Sequence, residues 1–202
     1  MVGRIISEGA EAKVSLSEFM GMPAVLKSRI PKRYRIREMD EPLRASRTKS
    51  EARVMARLLA CRVPVPRLLR VGKYSILMEF IEGKRLSDAI RGGEIKQKVF
   101  SDAGKLLAAI HAAGVSHGDF TPANIMLCKG KLFVIDFGLS SSNAEDMDKA
   151  IDLLLMKRSL SSGQFASFIK GYSSSEAHVI ISKLAEIERM GRYQTRTLET
   201  NG

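Results

Sequence analysis

The stretch His117-Gly118-Asp119-Phe120-Thr121-Pro122-Ala123-Asn124, with Val134-Ile135-Asp136-Phe137-Gly138 a short way beyond it, constrains this chain more than any other part. An Asp, an Asn five residues on and a second Asp stand in the order that phosphoryl transfer from ATP requires. Asp119 can accept a hydroxyl proton, while Asn124 and Asp136 offer hard oxygen ligands to a magnesium ion bridging the phosphates. Apolar runs flank both sites, Ile125-Met126-Leu127 after the Asn and Leu132 to Ile135 before the second Asp. They predict a small hairpin that holds both groups at strand ends. Two surface turns that merely contain Asp would not be expected to carry both motifs in this order.

Such a hairpin needs a core to stand on. With 202 residues, 45% of them hydrophobic, the chain can bury one as one or two small lobes. No apolar run approaches the roughly 20 residues that span a bilayer, and the N-terminus has no signal-peptide pattern, so no membrane partner is expected. Cys61 and Cys128 are isolated, without metal-ligand spacing or a disulfide framework, which fits a reducing, cytoplasmic setting.

The amino-terminal third reads as strands followed by a helix. Ile5-Ile6, Lys13 to Leu16 and Ala24 to Lys27 are short strands separated by turns at Glu8-Gly9 and Gly21-Met22-Pro23. Period-two alternation places Val25 and Lys27 on one face, and an inward Lys needs an anion. A helix is predicted from Ser46 or Ser50, either of which can cap it, to about Ala60. Glu51, Met55, Leu58 and Leu59 then share one face, so Glu51 sits on the buried stripe while Arg53 and Arg57 point elsewhere. A buried Glu is costly unless paired, and Lys27 is its natural partner.

Pro64-Val65-Pro66 ends the helical region, and a hairpin follows over Leu68 to Val71 and Ser75 to Phe80. Glu79-Phe80-Ile81-Glu82-Gly83 reads as an extended crossover that can meet an adenine edge through the Glu79 carbonyl and the Ile81 amide. From Leu86 the chain is predicted helical, with Phe100, Ala103, Leu107 and Ile110 as the apolar stripe. His111 reads as a core histidine, and His117 as a brace for the loop that carries Asp119.

Charge is unevenly placed. Lys27 to Lys73 holds 15 Lys/Arg against four acids, a net of +11 that equals the net charge of the whole chain. A basic field of this kind favours a polyanion, nucleic acid above all, although a solvated helix face would show the same count. A second basic feature, Arg189-Met190-Gly191-Arg192-Tyr193-Gln194-Thr195-Arg196, follows a helix predicted from about Ser175 to Glu188. It is expected to be a tail that orders on RNA or a frayed terminus, with Arg189, Arg192 and Arg196 as the nucleic-acid candidates.

These residues together resemble the protein-kinase-like superfamily, and within it the small atypical kinase of the KEOPS complex, the p53-related protein kinase family of archaea and eukaryotes. The resemblance covers nearly the whole chain. It rests on Glu8-Gly9-Ala10-Glu11-Ala12, Lys32-Arg33-Tyr34-Arg35 with Asp40, and Arg47-Thr48-Lys49-Ser50-Glu51-Ala52-Arg53. Met78-Glu79-Phe80-Ile81-Glu82-Gly83, His117-Gly118-Asp119, Asp136-Phe137-Gly138-Leu139 and Asp148-Lys149-Ala150-Ile151-Asp152-Leu153 complete it. It implies an ATP-hydrolysing serine/threonine protein kinase that autophosphorylates and partners a tRNA-modifying enzyme. That assembly makes threonylcarbamoyl adenosine in tRNA.

Three departures from ordinary kinases point the same way. Gly9 is the one glycine of the phosphate loop, where a typical kinase has three. Gly118 replaces the Arg that usually precedes the catalytic Asp. Asp152 stands only 16 positions after Asp136, and no Ala-Pro-Glu follows, so a general peptide-docking segment is not expected.

The expected fold is α+β, a two-lobed protein-kinase-like arrangement with ATP and Mg2+ between the lobes. Residues 1–79 form a five-stranded antiparallel sheet with one main helix, and residues 80–202 a reduced, mostly helical lobe with a basic tail. The catalytic candidates are Asp119, Lys27 and Glu51. Gly9, Val14, Val25, Lys27, Met78, Glu79 and Ile81 are the nucleotide-binding candidates, and Asn124 and Asp136 the metal ligands. The expected partners are the tRNA-modifying enzyme, other KEOPS subunits and tRNA. Two alternatives remain open. A small-molecule phosphotransferase of the aminoglycoside-kinase type shares the His-Gly-Asp…Asn core but needs a large helical substrate subdomain, which 202 residues are not expected to hold. A nucleic-acid-binding scaffold with a purely structural nucleotide site would not need the full Lys27, Glu51, Asp119, Asn124 and Asp136 set.

Overall fold

A computed structural model describes residues 4–9, 11–93, 95–172 and 177–199, with side chains as far as Met190. The chain divides into two compact units, one of residues 1–86 and 124–140 and the other of residues 87–123 and 141–202.

The first unit is built on a five-stranded antiparallel sheet, as expected. Its strands are β1 (Ile5–Glu8), β2 (Ala12–Phe19), β3 (Met22–Arg29), β4 (Leu68–Val71) and β5 (Ser75–Glu79), in the order β1-β2-β3-β5-β4. β3 is central, and its register sets Lys27 opposite Val14 on one side and Ile76 on the other. One long helix, α1 (Arg37–Ala60), packs Val54, Met55 and Leu58 into the core with Ile76, Leu77 and Met78. It starts at Arg37, well before Ser46 or Ser50, and neither serine is its cap. Its first half has no apolar period to betray it and contains Pro42. It is held by charge instead, through Arg37–Glu41 and Arg44–Asp40 pairs one turn apart.

A second sheet of three strands completes this unit: β6 (Lys84–Arg85), β7 (Ile125–Cys128) and β8 (Lys131–Val134). β7 and β8 are the expected hairpin. β6 was too short to carry a strand signal and pairs with the outer edge of β7. The Val134 amide donates to the Pro64 carbonyl at 3.0 Å, which ties the hairpin to the chain leaving α1.

The second unit is helical: α2 (Leu86–Arg91), α3 (Gln97–Ala112), α4 (Asp146–Ser159), α5 (Ser162–Gly171) and α6 (Ala177–Glu199). Its core gathers Phe100, Leu107, Ile110, Phe120, Phe168 and Tyr172, all essentially without solvent contact. Burying each such side chain contributes about 1.5–3 kcal/mol. α3 and α5 meet through two glycines. A Cβ on Gly104 would lie 2.0 Å from the Phe168 carbonyl oxygen, and one on Gly171 would lie 1.8 Å from that of Ser101. No other residue fits at either position. The last helix departs from expectation, because its backbone runs on through Arg189 to Glu199 instead of ending at Glu188. Its predicted start at Ser175 and the side chains of Arg192 and Arg196 lie outside the described residues, as does Ala10 of the phosphate loop.

Cys61 and Cys128 are free thiols. Among the described residues no helix is long and apolar enough to cross a membrane.

Candidate active site

In the first unit, four charged groups from three elements meet. Lys27 extends from β3 and is buried; its Nζ donates to Glu51 Oε1 at 2.5 Å and to Asp136 Oδ1 at 2.7 Å. Glu51, at the buried face of α1, is 3% exposed and would be untenable there unpaired. Its second oxygen accepts from Arg29 Nη2 at 2.7 Å. The result is an alternating row, Asp136–Lys27–Glu51–Arg29, in which each charge faces its opposite. Arg29 was not anticipated. The signal was present in the Lys-Ser-Arg spacing, because residues two apart on a strand share a face.

The β7–β8 hairpin delivers the two oxygen donors. Asn124 precedes β7 and Ile135 follows β8, and the Ile135 amide donates to the Asn124 carbonyl at 2.9 Å. This bond fastens the residue before Asp136 to Asn124. Asp136 has φ +64°, a left-handed conformation in which Asp is among the few side chains tolerated. Its carboxylate also accepts from the Gly138 amide at 3.2 Å, and its side chain is 54% exposed, open to water on one side. A Cβ on Gly138 would stand 3.2 Å from Asp136 Oδ1 and 3.4 Å from Lys27 Nζ, close enough that these side-chain ends would have to give by a few tenths of an ångström.

The nucleotide candidates fall where the strands allow. Val14 and Val25 are half-buried on β2 and β3, Met78 is buried on β5, and Glu79 ends that strand opposite Ala24. Ile81 is buried just beyond it. The Glu79 amide donates to the Arg67 carbonyl and its carboxylate accepts from the Arg67 amide, so the strand end is fixed from both groups. Gly9 turns the chain between β1 and β2, its amide donating to the Ala12 carbonyl at 3.0 Å, and a Cβ there would meet nothing closer than 3.8 Å.

In the second unit, the loop before Asp119 hangs on one carboxylate. Asp152, fully buried on α4, accepts from the His117 amide at 2.7 Å and the Gly118 amide at 2.8 Å. His111 Nε2 lies 3.1 Å from the same carboxylate, and His111 Nδ1 lies 2.6 Å from the Tyr172 hydroxyl. The Asp119 amide donates to His117 Nδ1 at 3.2 Å. Both histidines are therefore built into the loop's support, His111 from the core and His117 from within the turn. Gly118, at φ +77°, takes the place usually held by an Arg because the loop turns there through the left-handed region. Of the basic-tail candidates, Arg189 is exposed on α6.

The RIO domain family matches residues 13–157. The KEOPS complex subunit Bud32 of Pyrococcus abyssi is 36% identical, over 96% of this chain and 98% of that protein. A probable bifunctional tRNA threonylcarbamoyladenosine biosynthesis protein of Methanobrevibacter smithii is 42% identical over 94% of this chain, which spans only 36% of that protein's length. Among solved structures, the Rio2 kinase of Chaetomium thermophilum, determined as an ADP/Mg2+-phosphoaspartate complex, superposes with a TM-score of 0.64. It is 16% identical, with 96% of this chain and 71% of that one covered, so the likeness is one of fold. With a buried Lys–Glu pair, the Asp-Phe-Gly turn and a near full-length match to Bud32, this chain belongs to the RIO-domain family of atypical kinases, in its Bud32 branch.

Proposed function

We propose that this protein is an ATP-dependent phosphotransferase and ATPase that works as the Bud32-type subunit of a KEOPS assembly, supporting threonylcarbamoyl-adenosine modification of tRNA in the cytoplasm. The observation that carries the reading is the Lys27 ammonium, buried and shared between Glu51 and Asp136. A buried cation already satisfied by Glu51 can exchange its second partner, Asp136, for an α- or β-phosphate oxygen of equal charge sign. Residues 1–79 supply Lys27 and Glu51, with Gly9, Val14, Val25, Met78, Glu79 and Ile81 for the rest of the nucleotide. Residues 80–202 supply Asp119, Asn124 and Asp136.

The donors suit magnesium. Asn124 and Asp136 offer one amide and one carboxylate oxygen, and no cluster of three or more His, Cys, Asp or Glu suited to a metal occurs among the described residues. Two protein oxygens are what an ion coordinated mainly by phosphate and water takes. When bound, the ion would neutralise charge on the phosphates. Asp119 would orient a water or a hydroxyl and accept its proton, held in place by the Asp152-anchored loop. Between Asp136 and α4 lie nine residues, 137–145, too few for the peptide-docking segment of an ordinary kinase. Foreign peptides should therefore be poor acceptors, and the protein's own Ser/Thr better ones.

The test is ATP hydrolysis measured on the protein alone, with tRNA, and with the tRNA-modifying enzyme added. Stimulation by that enzyme is the expected result. Turnover absent under all three conditions refutes the reading, and acceleration by a soluble small acceptor instead would make the protein a small-molecule kinase.

A further inference from the structure

We propose that Arg29 is a positioning residue of this site: it holds and neutralises Glu51 from the side opposite Lys27, and so leaves Lys27 available to a phosphate. The inference rests on the nucleotide-binding reading above and assigns a role to a residue outside the expected Lys–Glu pair.

Arg29 is the last residue of β3, two positions beyond Lys27 and on the same face of the strand. It is 7% exposed, in a region where an unpaired guanidinium would be expensive. Its backbone is pinned on both sides, with the amide donating to the Tyr74 carbonyl at 2.8 Å and the carbonyl accepting from Arg44 Nη1 at 3.4 Å. Its Nη2 donates to Glu51 Oε2 at 2.7 Å, while Lys27 takes Oε1. The same nitrogen lies 3.8 Å from where a Cβ on Gly138 would stand, so the guanidinium reaches the Asp136–Gly138 turn.

The charges decide what this arrangement does. Without Arg29, Lys27 would face two carboxylates, Glu51 and Asp136, and the group would carry a net charge of −1. An incoming phosphate would then compete with both for one ammonium. With Arg29 the four groups sum to zero, and Glu51 keeps a partner that no phosphate displaces. Lys27 can leave Asp136 for the phosphate while Glu51 stays fixed. A planar guanidinium with several donors suits this fixed role, and a compact ammonium on a flexible stem suits the exchanging one.

Binding of Mg·ADP and of AMP to the full-length protein by calorimetry, with melting temperatures measured in parallel, tests this. Arg29→Met should weaken Mg·ADP at least tenfold and AMP, which offers Lys27 an α-phosphate alone, by a clearly smaller factor. Arg29→Lys should stay within threefold of wild type for both. The double variant Arg29→Met/Glu51→Gln removes one charge of each sign and should recover most of the Mg·ADP affinity lost in Arg29→Met, but not its ATP turnover. A purely structural Arg29 would weaken ADP and AMP alike and would not be rescued by the second change. If Arg29→Met does not fold, Arg29→Gln, which keeps a hydrogen-bond donor but no charge, carries the same expectation. Mg·ADP affinity within threefold of wild type in the single variant, or no recovery in the double, overturns the role of Arg29 alone. Failure of the wild-type protein to bind Mg·ADP overturns the nucleotide reading and this inference together.

Discussion

Asp136 meets two demands that pull against each other: a backbone at φ +64° and a carboxylate that must face both Lys27 and water. Asp tolerates the left-handed region better than most residues, and the hairpin supplies the rest by binding Ile135 to Asn124. If Asp136 holds the magnesium ion as proposed, replacing it with Ala should lower ATP turnover at least 100-fold, since losing metal charge neutralisation costs at least about 3–4 kcal/mol of barrier. The melting temperature should fall by only a few degrees, because the side chain is half exposed and the backbone cost for Ala is roughly 1–2 kcal/mol. Asp136→Asn, which keeps the backbone preference, should lose the same activity with a smaller loss of stability. Turnover within threefold of wild type in either variant would remove Asp136 from the metal site. At this scale the sequence was largely readable. The 3.6-residue period put Glu51 on a buried face, the two-residue period put Lys27 on one, and a buried pair of opposite charges has few ways to be satisfied. Arg29 escaped because one Lys already completed the pair, and nothing local says that a carboxylate's second oxygen also needs a donor. The left-handed turn at Asp136 escaped because its cause, the Asn124–Ile135 bond and the Lys27 ammonium, is tertiary.

Elements that rest on apolar periodicity were legible, and those that rest on charge or on pairing to a distant edge were not. The five-strand sheet and the β7–β8 hairpin belong to the first kind, the two-residue β6 and the first half of α1 to the second. That first half turns on Asp40, which is 3% exposed and gathers the preceding loop. Burial works to raise its pKa, but hydrogen bonds from Arg44 and the Lys32 amide and the charges of Arg44 and Arg35 outweigh it, so the carboxyl is held below the ordinary aspartate range. A folded pKa below the unfolded one gives stability that is complete above the unfolded value near 3.9 and lost as pH falls through the folded value. Asp40→Asn should therefore melt lower than wild type at neutral pH, and the two melting curves should converge on acidification below about pH 4. A gap that stays constant with pH would show that Asp40 acts by shape alone. The loop carrying Asp119 depends on α4 in a comparable way. Asp152→Ala leaves the His117 and Gly118 amides without their carboxylate acceptor, at about 1–3 kcal/mol each. A fall of roughly 5–15 °C in melting temperature is expected, with turnover lost as well. A fall under 2 °C would place the loop's anchor elsewhere.

For the molecule as a whole, the net +11 of Lys27 to Lys73 overstates what a polyanion can reach. Lys27 and Arg29 are buried in the site, and Arg44, Arg37 and Arg47 are engaged with Asp40, Glu41 and Glu11. The exposed remainder includes Arg33, Lys49, Arg53, Arg62 and Arg70. Five such cations suffice for RNA phosphates, and contacts of this type release counterions, so tRNA affinity should fall steeply with salt. The carboxyl-terminal arginines are expected to add to this, and the chain carrying Arg189, Arg192 and Arg196 continues α6. Truncation at Arg189 is a clean test. Ile180 and Leu184 keep α6 in the core, and Glu188 keeps its pair with Lys157. Fold and isolated ATP hydrolysis should then survive, while tRNA binding weakens and the slope of log K against log salt drops by the equivalent of two to three phosphate contacts, at roughly 0.7–0.9 per contact. Such contacts carry no base code, so tRNA should be preferred over other RNA by shape and not by sequence. Unchanged affinity and slope after truncation would exclude the three arginines from the interface, and salt-insensitive binding by the full chain would exclude the electrostatic mode altogether.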